Sequence, residues 1–326
     1  MEVKMRRLVL LATACSVSLL AGAVPAAADN GPHVAGQGPI TDSCAGCHRI
    51  HTGKAPHLLK EAQSDLCYTC HGSSATGANN DVEDGVGYSG EERSGGPAGA
   101  LRGGGFAYAL IESDNPTIGK STGVIPVRGS GQPVNSTHSV DSSEQTAWGF
   151  GPVNGEVDYG KTLSMSCGNC HDPHGNGNYR ILRTTPRGLY HYPNHPPEED
   201  EVAIPDTETK VYTTSNYWRS DDENALGFAE NVAAWCTTCH NRYLADHEGS
   251  TDSGDAVYTY RHTSDATGQG GGQRNCVQCH VAHGSNSSMS AEADSVPFPD
   301  GSGAGEGDSR LLRLNNRGVC QMCHNK

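Results

Sequence analysis

Cys44-Ala45-Gly46-Cys47-His48-Arg49-Ile50-His51 sets a pattern that returns as Cys167-Gly168-Asn169-Cys170-His171-Asp172-Pro173-His174 and as Cys276-Val277-Gln278-Cys279-His280-Val281-Ala282-His283. After each comes a shorter version without the final histidine: Cys67-Tyr68-Thr69-Cys70-His71, Cys236-Thr237-Thr238-Cys239-His240 and Cys320-Gln321-Met322-Cys323-His324. Twelve of the 13 cysteines fall in these six pentapeptides. Residue frequencies alone would place roughly 0.03 such pentapeptides in a chain of this size, so the pattern is chemical.

C-x-x-C-H is the attachment signal for c-type haem. Two thiols reach the two vinyl groups of one porphyrin, and the adjacent histidine lies over the iron as the proximal ligand. Zinc ribbons and disulfides also use paired cysteines, but neither requires histidine directly after the second, and all six motifs have it. The expectation is six covalently attached haems c on Cys44/Cys47, Cys67/Cys70, Cys167/Cys170, Cys236/Cys239, Cys276/Cys279 and Cys320/Cys323. Their proximal ligands are His48, His71, His171, His240, His280 and His324.

Composition points the same way. Phe, Leu, Ile and Val make up only 15% of the 326 residues, glycine numbers 42 and the formal net charge is -14. An aliphatic and Phe share below about 20% with high net charge is a signature of disorder. An ordinary large hydrophobic core, a membrane-spanning body and a basic nucleic-acid-binding surface are excluded. The expected fold is mostly irregular coil with short helices and a few short strands, wrapped around a chain of six haems that form the core. The apo-chain is then expected to be largely unfolded.

The long and short motifs alternate, which gives three two-haem units at about 44–71, 167–240 and 276–324, joined by Gly-rich connectors 72–166 and 241–275. A second signature follows each long motif: His57-Leu58-Leu59-Lys60, Arg180-Ile181-Leu182-Arg183 and Arg310-Leu311-Leu312-Arg313. Residues 1–28 read as a secretory signal peptide: Lys4, Arg6 and Arg7 precede an apolar run from Leu8 to Val24, and Ala26-Ala27-Ala28 offers a cleavage site. Cleavage removes Cys15, leaves 29–326 as one elongated domain and brings the charge to -16. In the connectors, short strands are expected near Phe106–Glu112, Val124–Arg128 and Val211–Thr214, and a short helix over Asn224–Cys236. Parts of 72–100 read as flexible loop, and acidic, Gly-rich 300–308 as a solvated loop.

On these six motifs and the three Leu-Leu segments the chain resembles the multihaem cytochromes c that carry doubled C-x-x-C-H motifs. That resemblance implies bis-histidine haems packed in a chain and a role in moving electrons; some such cytochromes polymerise into extracellular filaments. Ten histidines remain beyond the proximal six, enough for a second ligand at every iron. His51, His174 and His283 lie three residues after a proximal histidine, within about 11 Å of backbone. They are expected to reach the other haem of their own unit, that is, the haems of Cys67/Cys70, Cys236/Cys239 and Cys320/Cys323. The upstream His33, His138 and His262 are expected to complete the haems of Cys44, Cys167 and Cys276, with His33 also placed to ligate a neighbouring molecule. His57, replaced by Arg180 and Arg310 in the other units, is not expected to be axial, and the three could contact propionates. His191 and His195 read as solvent-facing, and His247 as a reserve ligand.

Two functions compete. Irons with two histidines leave no open position, which makes an electron carrier or conduit; a multihaem reductase of a small oxyanion or nitrogen compound needs one open iron. The uniform motif endings and the histidine supply favour the conduit. Haems near both chain ends suit a homopolymer through haem–haem contact, with a soluble periplasmic shuttle as the alternative. The expected location is extracellular or cell-surface, or else periplasmic. Expected partners are redox proteins or a mineral electron acceptor, with a basic face toward this acidic chain, and no nucleic acid or membrane span.

Overall fold

The structure is a computed structural model, and it describes residues 33, 43–75, 77–88, 93–95, 97–101, 103–111, 127–150, 160–175, 179–183, 186, 232, 235–245, 253, 262–263, 276–287, 301 and 310–313. Residues 1–28, the strand expected at Val211–Thr214, His191, His195, His247, Cys320, Cys323 and His324 lie outside them.

Regular structure is short. Four helices carry haem motifs: α1 Ser43–Cys47, α2 Gln63–His71, α3 Cys167–Cys170 and α4 Cys276–Cys279. At the fourth motif, Cys236–His240, residues 235–237 are helical. Each long-motif helix is a single turn, closed by the histidine N–H donating to the carbonyl of the first cysteine: His48 to Cys44 at 2.8 Å, His171 to Cys167 at 2.9 Å and His280 to Cys276 at 2.9 Å. A helical turn puts side chains i and i+3 on one face, which brings the two thiols of each motif to the same side.

Eleven strands, none longer than seven residues, make one three-stranded and four two-stranded sheets among the described residues. β1 Asn80–Asp81, β2 Val86–Tyr88 and β3 Pro97–Ala100 form an antiparallel sheet. Parts of 72–100 were expected to be flexible loop, and the described residues there include this sheet instead. The cause is a non-local polar tie. Arg93 donates to the carbonyls of Gly72 (2.7 Å), Ala78 (2.8 Å) and Ser73 (3.3 Å) and pairs with Asp81 at 3.5 Å. Asp81, fully buried, also accepts from the amides of Glu83 and Asp84.

β4 Tyr108–Ile111 and β5 Val127–Pro133 pair antiparallel; β4 lies within the strand expected over Phe106–Glu112, whereas β5 shares only Val127 and Arg128 with that expected over Val124–Arg128. β7 Glu144–Trp148 pairs with β8 Gly160–Ser164 and leads into α3. β6 Ser136–Thr137 pairs with β11 Gly284–Ser285, and β9 Leu244–Ala245 with β10 His262–Thr263. The β6–β11 pairing clips the connector before the second unit onto the third, and Asn135 adds side-chain and backbone bonds to Ser287 and Ser285. Gly104, at φ +73°, runs so close to Gly284 that a Cβ would collide with its carbonyl.

Apolar burial is sparse. Leu66, Val86, Ala100, Ala109, Ala147, Val232 and Val281 are the buried hydrophobics among the described residues, and three of the seven are alanine. Leu182, Trp235, Cys236 and Val277 gather around Val232, joining the second unit to the third.

Arg93→Ala leaves Asp81 buried without its partner, so it is expected to destabilise the haem-loaded chain by about 3 kcal/mol. A denaturant titration followed by near-UV circular dichroism measures this.

Candidate haem-binding site

In all three units the segment after the long motif folds back over the motif's histidine. His57-Leu58, Arg180-Ile181 and Arg310-Leu311 each hold two consecutive residues in the left-handed region, with φ between 49° and 65°. Left-handed backbone is disfavoured for residues with a Cβ, most of all β-branched Ile181. The double turn presents the carbonyl of its first residue to the proximal ring. Nδ1 of His48 donates to His57 at 2.9 Å, that of His171 to Arg180 at 2.8 Å and that of His280 to Arg310 at 3.0 Å. The next carbonyl accepts the amide after the histidine: Arg49 to Leu58, Asp172 to Ile181 and Val281 to Leu311. The closing residue bonds back to the second cysteine: Lys60 to Cys47, Arg183 to Cys170 and Arg313 to Cys279. The repeated Leu-Leu segment is therefore a backbone clamp on the proximal histidine, a role its side-chain pattern did not disclose.

Among the described residues four pairs of histidine rings stand opposite one another. His33 and His71 have centroids 6.2 Å apart, His48 and His174 6.3 Å, His138 and His240 6.2 Å, and His171 and His283 6.4 Å. Rings with faces in contact would sit at about 3.5–4 Å. A metal about 2 Å from one nitrogen of each ring, with each nitrogen roughly 1.1 Å from its centroid, puts two centroids roughly 6 Å apart. The donor set fits an iron with two axial imidazoles.

The remaining rings are anchored as the proximal ones are. Nδ1 donates to the carbonyl of Pro173 from His33 (2.8 Å), of Asn80 from His71 (3.4 Å), of Ala282 from His138 (2.8 Å), of Trp148 from His240 (2.6 Å) and of Gly104 from His283 (3.2 Å). A ring whose Nδ1–H is so engaged has Nε2 left for a metal. Burial lowers the pKa of His71, His138 and His171, and takes His240 to about 4 and His283 to about 3. These rings are neutral at pH 7, the form that ligates. Phe106 stacks on His283 at 4.4 Å, and Tyr68 meets Phe106 edge-on; neither aromatic was legible as part of the site.

The pairing differs from the expectation that the second histidine of each long motif serves its own unit. His33, not His51, faces His71. His174 faces His48 of the first unit, not His240, and His138 faces His240, not His171. His283 faces His171 of the second unit. The clamp is the reason: with the proximal histidine and the residue after it both held by the left-handed segment, the remaining two residues of H-x-x-H project toward the preceding unit. His51 is exposed on its turn, with no ring opposite it among the described residues. His262 lies in β10 beside Leu244.

The cysteines order the sites. Cys47 lies within electrostatic reach of Cys70, and Cys170 of Cys239. The side chains of Cys67 and Cys167 lie against each other, as do those of Cys236 and Cys276. Burial pushes Cys170 up to about 12. Consecutive motifs are thus neighbours in space from the first to the fifth. At the second-to-third step, Gln63 of α2 meets Ser166 and Gly168 of α3, and Ser64 donates to Val140. None of the ten described motif cysteines is in a disulfide.

A family model described as a doubled CXXCH motif matches residues 38–76, which is the first unit. The match supports a multihaem c-type cytochrome with covalently attached haem, a class that transfers electrons. No curated protein and no solved structure matches the chain.

If His138 and His240 serve one iron, changing both alters one haem and not two, the logic of a double-mutant cycle. Low-temperature EPR of the haem-loaded protein is expected to lose one low-spin centre in His138→Ala and still only one in His138→Ala/His240→Ala. The combination His138→Ala/His171→Ala is expected to lose two.

Proposed function

We propose that the chain is an exported hexahaem cytochrome that conducts electrons along consecutive bis-histidine sites, working outside the cell as the subunit of a polymer. The observation that carries this reading is the set of four histidine pairs at 6.2–6.4 Å, with Nδ1 of seven of the eight rings bonded to a backbone carbonyl. The eighth, His174, has Nδ1 3.5 Å from the Asp172 carboxylate.

When bound, each haem supplies one iron that accepts and releases a single electron. The chain's own groups do the rest. The paired thiols would fix each group covalently, and His48, His71, His171 and His240 would hold its iron. His174, His33, His283 and His138 would supply the second imidazole, which would leave no position for a substrate at those four sites and disfavours the reductase reading. The Nδ1 hydrogen bonds hold ring orientation and raise the basicity of the ligating nitrogen. The thiol neighbours give an electron path in sequence order.

Sparse apolar burial fits a fold whose core is the six cofactors, with thioether and axial bonds standing in for side-chain packing. Export rests on residues 1–28, and no helix among the described residues is long and apolar enough to cross a membrane. The acidic chain suits a redox partner with a basic face or a cation-rich mineral acceptor.

Intact-mass measurement and a pyridine haemochrome assay on the secreted protein test the reading. Six covalent haems per chain are expected, with reversible voltammetry and no catalytic current toward small oxyanions. Fewer haems, or a catalytic wave, would sink it.

A further inference from the structure

Arg242 is 3% exposed, and its Nε and Nη1 are buried with no hydrogen-bond partner. No carboxylate among the described residues forms an ion pair with it. The other arginines drawn into the fold have acceptors: Arg93 has buried Asp81 and three carbonyls, Arg183 has Asp172 and the Gly168 carbonyl, and Arg313 has the His280 carbonyl. A guanidinium keeps its charge at any ordinary pH, so it cannot escape burial by losing a proton. A buried charge without a counter-charge is strongly destabilising. The site therefore calls for an anion.

Its place in the chain says which one. Arg242 stands two residues after His240, and its amide donates to the Gly149 carbonyl at 3.0 Å. The neighbouring Trp148 carbonyl accepts from Nδ1 of His240 at 2.6 Å. Tyr243 stacks along the His240 ring, with centroids 6.1 Å apart, and lies against Gly149. The segment that fixes the proximal ring thus also fixes the backbone that carries the guanidinium. The corresponding residue of the first unit, Ser73, gives its amide and its hydroxyl to Glu83, both at 2.8 Å, so the orphaned cation belongs to the second unit.

We infer that Arg242 binds a carboxylate, and that the carboxylate is a propionate of the haem on Cys236 and Cys239. Propionates sit on the porphyrin edge away from the vinyls; Arg242 follows the proximal histidine, whereas both thiols precede it. Carboxylate is the anion whose geometry a guanidinium matches best. The pair makes Arg242 a positioning residue that tunes one haem. Without it the propionate charge is uncompensated, which favours the oxidised iron and lowers that haem's potential. The inference rests on the hexahaem reading at this one motif.

The test uses the full haem-loaded chain, grown on aminolevulinate carrying heavy carbon at its carboxyl, so that propionates are the only labelled carboxylates. In redox-difference infrared spectra, Arg242→Gln is expected to move one labelled carboxylate band. Potentiometric titration is expected to show one haem shifted to lower potential and the others unmoved. Arg242→Lys keeps the charge but loses the planar fork; it is expected to move the same band while holding the potential near that of wild type, and it serves if Arg242→Gln does not fold. Arg242→Met is expected to lower the melting temperature, because a buried propionate loses its partner.

An unlabelled carboxylate band that moves instead overturns the inference, since the anion is then an Asp or Glu of the chain. Unchanged bands and potentials in Arg242→Gln overturn it too. So does a raised melting temperature in Arg242→Met, the sign of a buried charge relieved. Failure of the hexahaem reading looks different: the wild-type peptide containing Cys236 and Cys239 would carry no haem mass.

Discussion

A histidine Nδ1–H donated to a backbone carbonyl recurs at eight rings, His33, His48, His71, His138, His171, His240, His280 and His283. Each of these bonds fixes a ring's tautomer and direction and commits its other nitrogen to ligation. The acceptors are rarely local. Pro173 serves His33, Ala282 serves His138, Gly104 serves His283 and Trp148 serves His240, so orienting a ligand also ties distant segments together. In a chain with little apolar burial, this web of polar ties does much of what side-chain packing does elsewhere.

The ties have a local cost. Two successive left-handed residues occur three times, once with a β-branched side chain, and strain of this kind costs on the order of 1–3 kcal/mol per residue. Such strain persists only where surroundings over-determine it. Here they do: the carbonyl of the first left-handed residue binds the proximal ring, that of the second binds the next amide, and the segment ends on the carbonyl of the second cysteine. The three clamps share neither a common first side chain nor a common charge, because the bonds are made by backbone.

The haem motifs, their alternation and the three units were legible because covalent chemistry demands fixed residues at fixed spacing. The strand at 108–111 was legible from its composition, but only the first two residues of that at 127–133 fell within the strand expected over Val124–Arg128. The sheet formed by β1, β2 and β3 was not legible, because it depends on Arg93 reaching back to Gly72, Ser73 and Ala78 and to buried Asp81, a non-local tie with no spacing rule. The ring pairing in the structure departs from the expected axial pairing for a related reason. Six candidate second ligands could be named, but the nearest partner along the chain is not the nearest in space when a clamp turns H-x-x-H toward the preceding unit. Leu58, Ile181 and Leu311 stood out as a repeat, yet their use lies in backbone angles that side chains do not announce.

The central claim is that a long-motif iron takes its second imidazole from the following unit and a short-motif iron takes its second from the segment upstream of its own unit, in a register that steps along the chain. A cryo-electron microscopy map of the haem-loaded protein tests this most directly. The account predicts density for one iron between His48 and His174, and for others between His33 and His71, His138 and His240, and His171 and His283. A map with His51 opposite His71 and His174 opposite His240, each unit completing its own sites, would contradict it.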